Sequence, residues 1–207
     1  MLRLTRRVAP LALYALWALL ALYPDPSLLV RSIPQGLNPR IDPAAVKAWA
    51  DELPDDPEHI ERQVLGRYVS YAVPWQTHGV PWYFPTTAEV VAQGRGDCQA
   101  RMLVFASILE AKNIPYRLEA SFDHIWVWYA EKKTNTWENA AIRLMVEDGS
   151  GRRLQLPQRW DWRETYRIEK EYFWDYMPLG RKLLLFGGMV LIFFRGRLAS
   201  WVRTAWA

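Results

Sequence analysis

Hydrophobic and polar positions change rhythm several times along the chain, and each change marks an element. Val8 to Tyr23 is an uncharged run of sixteen residues behind Arg3, Arg6 and Arg7. As a helix it reaches about 24 Å, so Leu2 and Leu4, or Leu28 to Val30 beyond Pro24-Asp25-Pro26, must extend it to cross a hydrocarbon core of roughly 30 Å. A second uncharged run, Leu183 to Phe194, is bounded by Arg181 and Lys182 before it and Arg195 and Arg197 after it. It reaches about 18 Å, and snorkelling cations, Leu179, Leu198 to Trp201 and the interfacial pair Trp174 and Trp201 lengthen it.

Between these runs the periods are those of a folded domain. Asp42-Pro43 starts a helical stretch with Ala44, Val46, Trp49 and Ala50 on one face, broken at Pro54 to Pro57. Ile60, Val64, Leu65, Tyr68 and Val69 continue at helical spacing. Val73 to Pro85, rich in Pro, Gly and Trp, reads as turns. Thr86 or Thr87 caps a short helix closed by Gly94, and Cys98 to Asn113 is apolar on more than one face, the pattern of a buried helix. Tyr116 to Phe122 and Ile125 to Ala130 read as strands, the second central because it is apolar on both faces. Ile142 to Val146 and Leu154 to Leu156 read as a hairpin about Asp148 to Gly151. Gln158 to Tyr176, aromatic and charged, reads as an amphipathic collar at a membrane surface.

Composition narrows the function classes. The 207 residues are 51% hydrophobic and include twelve Trp, enough aromatic area for a real core. One Cys and three His exclude a disulfide framework and argue against a metal centre, so neither metal nor cofactor is expected. The net charge is +4, yet all 22 acidic residues lie between Asp25 and Asp175, while the ends carry cations and no acid. Basic apolar ends around an acidic middle fit a membrane-tethered domain and not a nucleic-acid surface. The alanines at 9, 12, 15, 18 and 21 give no Ala-x-Ala cleavage site, so the first segment is expected to remain as an anchor, with a small-residue stripe for a membrane-protein partner. Two spanning segments with basic flanks put both tails in the cytoplasm and the central domain outside it.

Candidate chemistry sits at Cys98. A thiol just after a glycine turn, at the first turn of a helix, meets unpaired N–H groups and a positive dipole, which favour thiolate and supply oxyanion donors. His124 begins a strand 26 residues later, and Glu138 follows 14 further on, at the start of what reads as another strand. Nucleophile, base and orienting carboxylate in this order suit a cysteine–histidine–acid acyl-transfer site. Asp97 reads as the cap of the Cys98 helix, and His59, His78, Trp75, Trp82 and Trp126 read as structural.

The stretch Tyr83-Phe84-Pro85-Thr86-Thr87-Ala88-Glu89-Val90-Val91, then Gly94-Arg95-Gly96-Asp97-Cys98, the helix behind it, Ile114-Pro115 and His124-Ile125-Trp126-Val127 resembles the transglutaminase-like superfamily of papain-like cysteine enzymes. The resemblance covers residues 60 to 142 and implies a membrane-anchored prokaryotic member of α+β class. In that class the helix carrying Cys98 packs on an antiparallel sheet, with Cys98 as nucleophile and His124 as base. The family places an Asp shortly after a Trp, whereas here Trp137 is followed by Glu138 and Asn139. Glu138 is taken as the third member, with Asn139 the alternate.

The organisation expected is an N-terminal anchor at 1–30, a transglutaminase-like domain at 31–157, an amphipathic juxtamembrane segment at 158–178, and a C-terminal membrane segment with basic tail at 179–207. The function expected is a thioester route acting on amide bonds of peptides or proteins, by hydrolysis or acyl transfer. The rivals are a catalytically inactive papain-like binding module and a structural subunit of a membrane complex, held there by the alanine stripe and Gly187-Gly188.

Overall fold

A computed structural model describes the backbone of residues 2–205 and the side chains of residues 9–194. The flanking cations Arg3, Arg6, Arg7, Arg195 and Arg197, and the anchor Trp201, lie outside the described side chains. Two compact units are present, one formed by residues 1–30 with 177–207 and the other by Arg31–Tyr176.

The first unit is an antiparallel pair of helices, α1 (Leu2–Leu22) and α9 (Leu179–Ala205). The indole of Trp17 donates to the Leu184 carbonyl at 2.8 Å, and the rings of Tyr14 and Phe193 meet edge to face at 5.8 Å. Trp17 fits because position 188 is glycine: a Cβ there would lie 2.0 Å from the indole nitrogen. Leu11, Leu16, Leu183, Phe186 and Leu191 are each more than half exposed, so the pair presents its apolar side chains outward. Among the described residues no single helix is long and apolar enough to cross a membrane.

The second unit is of mixed α+β class. Its helical part comprises a 3₁₀ turn at Ala44–Val46, α3 (Lys47–Glu52), α4 (Pro57–Gln63), a π-helical turn at Val64–Tyr68, α5 (Pro74–Thr77) and α6 (Thr87–Gln93), with α2 (Ser27–Leu37) leading in. Local chemistry explains the boundaries. Asp56 caps α4 with Pro57 at its first position, and Thr86 and Glu89 form a reciprocal capping box on α6, ended by Gly94 in the left-handed region at φ 63°. The turn region at Val73–Pro85 also holds the four-residue α5, which a run of Pro and Trp conceals from periodicity.

Helix α7 (Cys98–Ala111) is the hub. Met102, Leu103, Val104, Phe105, Ala106, Ile108 and Leu109 are all buried, and α3, α4 and α6 pack around it with one face of the sheet. The sheet is antiparallel in the order β4-β3-β5-β6, where β3 is Tyr116–Ala120, β4 Ile125–Tyr129, β5 Met145–Asp148 and β6 Gly151–Leu154.

Strand β4 therefore lies at an edge, not at the centre as its apolarity suggests. Ile125, Val127 and Tyr129 join the core around α7, with Tyr129 edge to face against Phe105 at 5.8 Å. On its other face Trp128 lies beneath the Arg117 guanidinium of the paired strand, 3.6 Å from the ring centroid. A helix over one face and a cation–π contact on the other account for the apolar run without a second neighbouring strand. The aromatic stretch containing α8 (Trp162–Glu169) belongs to this same unit: Thr165 donates to Asp123 at 2.9 Å, and Trp75 donates from its indole to the Phe173 carbonyl at 2.8 Å.

Candidate active site

Two short parallel strands, β1 (Ser70–Tyr71) and β2 (Arg95–Gly96), deliver the chain to the start of α7. Gly96 is required by close approach, because a Cβ there would stand 2.3 Å from the Ala100 methyl. Asp97 then caps the helix, one carboxylate oxygen accepting from the N–H groups of Gln99 at 3.0 Å and Ala100 at 3.2 Å. Cys98 follows as the first helical residue.

The sheet brings the base to the same place. The turn joining β3 to β4 is closed by the Ser121 N–H donating to the His124 carbonyl at 2.8 Å and the His124 N–H donating to the Ser121 hydroxyl at 3.1 Å. The backbone N–H of the next residue, Ile125, is near enough to the Cys98 sulfur to favour its charged form. The His124 ring lies nearly parallel to that of Trp126, with centroids 5.9 Å apart.

Nε2 of His124 and Oε1 of Glu138 are 3.1 Å apart. That pairing leaves Nδ1 as the ring nitrogen available to a thiol. Glu138 lies in a turn and not on a strand. The Asn135 side-chain oxygen accepts from the N–H groups of Trp137 at 2.8 Å and Glu138 at 2.9 Å, an Asx-type turn that holds the segment. Asn139 turns away: its amide donates to the carbonyls of Asn135 and Thr136 and accepts from the Ala141 N–H. Of the two candidates, Glu138 is the one at hydrogen-bond distance from His124.

Behind Glu138 stands Lys132. Its ammonium is 3.0 Å from Oε2 of Glu138 and also bonds Glu61, which in turn accepts from the Tyr129 hydroxyl at 2.7 Å. The Lys132 side chain is only 5% exposed. Burial alone pushes the Glu138 carboxyl up, but the His124 hydrogen bond and the Lys132 charge outweigh it and hold the group below the usual carboxylate range. A lysine among Glu131, Lys133 and Thr134 carries no periodic signal that it points inward.

Electrostatics at the sulfur differ from the helix-start expectation. Burial first, and the Asp97 carboxylate second, push the thiol up to about 12, against the N–H groups of Ile125 and Gln99. Asp97 is itself pushed up to about 6 by burial, opposed by the capping N–H groups and by His124. The helix dipole acts over one turn with about half a charge, which is too little against a full neighbouring charge in a desolvated setting. The resting sulfur is a thiol, and becoming a thiolate requires handing its proton to a base.

Of the other two histidines, His78 has structural partners: it bonds Thr77 at 2.8 Å and lies 4.0 Å from the Tyr83 ring. Among the described residues no group of His, Cys, Asp and Glu could hold a metal ion. No family model, curated protein or solved structure matches the chain.

Proposed function

We propose that this protein is a membrane-anchored, transglutaminase-like cysteine enzyme with a papain-like core, acting on amide bonds of peptides or proteins through a thioester. The observation that carries the reading is the His124–Glu138 hydrogen bond, with a cysteine at a helix start close enough to the residue after His124 for its N–H to favour the thiolate. Cys98 passes its proton to Nδ1 of His124 as the sulfur attacks the amide carbon. The imidazolium is stabilised by Glu138, and the oxyanion forms by the Cys98 N–H and the positive end of α7. The C–N bond then breaks, His124 returns the proton to the departing amine, and water or a second amine attacks the thioester to free the thiol. No cofactor enters this sequence.

The membrane setting rests on the outward apolar side chains of α1 and α9 and on the basic, acid-free ends of the chain. Both tails are assigned to the cytoplasm and the central unit to the other side.

A second reading, an inactive papain-like binding module, is favoured by the burial that raises the Cys98 thiol. The two part in one experiment, helped by the chain having a single cysteine. Alkylation of Cys98 by iodoacetamide near neutral pH is expected to depend on His124 as the base that takes the thiol proton, and to slow at least tenfold in His124→Ala. A rate that is slow in the native protein and indifferent to His124 would leave only the binding module.

A further inference from the structure

A cavity of about 380 Å³ opens beside the site and uses none of its three central side chains. It is nonetheless tied to them by sequence, since Asp123 precedes His124, and Trp137 and Asn139 flank Glu138. Its size falls within the range of sites that enclose a small molecule or one large side chain. The walls are aromatic: Phe122 and Trp160 meet at 5.1 Å, Trp137 also lines the cavity, and Trp160 is braced by Trp162 at 4.6 Å.

The charge lining this cavity is negative. Asp123, Asp161 and Glu164 contribute carboxylates, against the single guanidinium of Arg159. Asp161 is occupied in capping α8, and Glu164 pairs with Arg167. Asp123 is different. One of its oxygens accepts from the Thr165 hydroxyl at 2.9 Å, while the other is buried without a hydrogen-bond partner, and no ion pair to Asp123 forms among the described residues. Burial raises its carboxyl and Glu164 adds to the effect; Asp123 in turn helps raise Glu169. The fold sets Asp123, a carboxylate without an ion pair among the described residues, next to aromatic faces, and an organic cation satisfies both at once: its charge meets the carboxylate and its flat or aliphatic body meets the rings.

We propose that this cavity is a specificity pocket that takes a cationic side chain of the substrate, best a guanidinium, against the rings of Phe122, Trp137 and Trp160, with Asp123 supplying the counter-charge and Glu164, already paired with Arg167, adding to the negative field. Its role as a substrate pocket rests on the cysteine-enzyme reading; its preference for cations does not. Neutral apolar side chains gain the rings but leave Asp123 uncompensated, so discrimination comes from charge and affinity from the aromatic walls.

Calorimetric titration of the full-length Cys98→Ala chain, in which turnover is blocked, separates these contributions. The probes are Nα-acetyl-arginine amide and Nα-acetyl-citrulline amide, which share shape and differ in charge. The arginine probe is expected to bind at least tenfold more tightly, with the ratio falling below threefold in Asp123→Asn and Glu164→Gln reducing it in the same direction. Equal affinities, no binding of either probe, or a preference that survives both substitutions would overturn the proposal. If Asp123→Asn does not fold because the Thr165 hydrogen bond is lost, the Glu164→Gln ratio decides. Thiol alkylation is read separately, so an inert Cys98 with an intact arginine preference removes the enzyme and keeps the pocket, and the reverse result removes the pocket alone.

Discussion

Replacing Asp97 by Asn tests the electrostatics of the site with one atom's change. The amide oxygen still accepts the N–H groups of Gln99 and Ala100, and Asn caps helices about as well as Asp. What disappears is a partly buried negative charge next to the thiol. Asp97 binds its proton more tightly folded, with its carboxyl raised from 3.8 to about 6. The sign follows from linkage: the native state binds more protons than the unfolded chain between those values, so the group's contribution falls as pH rises through that window. Two pKa units correspond to about 3 kcal/mol, an upper figure for a site that relaxes. Asp97→Asn is therefore expected to be more stable than the native protein at pH 7, by up to about 3 kcal/mol relative to their difference at pH 3. That is a melting difference on the order of 6–12 °C for a chain of this size. The same change removes the charge that helps hold the thiol up to about 12, so alkylation of Cys98 should accelerate. Thermal melts at both pH values, with iodoacetamide rates between pH 6 and 10, read both effects. An Asp97→Asn protein that is less stable at pH 7 and no faster to alkylate would refute the account of a partly buried, charged cap.

Other expected outcomes follow from the same geometry. Glu138→Gln should keep part of any amidase turnover, since an amide oxygen still accepts from the imidazole; Glu138→Ala should lose about two to four orders of magnitude, with Asn139→Ala close to native. Lys132→Met leaves Glu61 and Glu138 without their shared cation, and should raise the pH at which the protein unfolds in acid, as followed by circular dichroism between pH 3 and 6. Gly96→Ala drives a methyl into Ala100 and should cost about 1–3 kcal/mol by denaturant titration, slowing Cys98 alkylation as the start of α7 shifts. Protease added to sealed cells or spheroplasts should cut within residues 40–170 and spare both tails; cutting beyond Arg197 without disrupting the membrane would invert the proposed topology.

Legibility in the sequence tracked how local the cause was. The α7 hub was readable because burial on every side leaves apolar residues on every face. The caps at Thr86 and Asp97 and the stop at Gly94 are signals of one or two residues, and they were found. Edge placement of β4 was not readable, since apolarity reports burial and not whether a strand or a guanidinium does the burying. Glu138 was picked by its order after His124, but the Asx turn that presents it is set by Asn135, and its neighbour Lys132 gives no periodic cue. The state of the thiol is not legible for a related reason: helix position is visible in sequence, whereas desolvation and the nearness of the Asp97 charge inside the fold are not.

Trp126 lies nearly parallel to His124 at 5.9 Å and is 3% exposed. Protonated imidazole is an electron-poor cation over the face of an indole, and such a neighbour quenches indole emission where neutral imidazole does so weakly. The fold has in effect built a fluorophore against the proton-accepting ring. The difference in emission between the native chain and Trp126→Phe, followed against pH, isolates that indole from the other eleven tryptophans and gives the titration of His124 optically. Added during alkylation or turnover, the same difference signal would time the arrival and departure of the proton without any label.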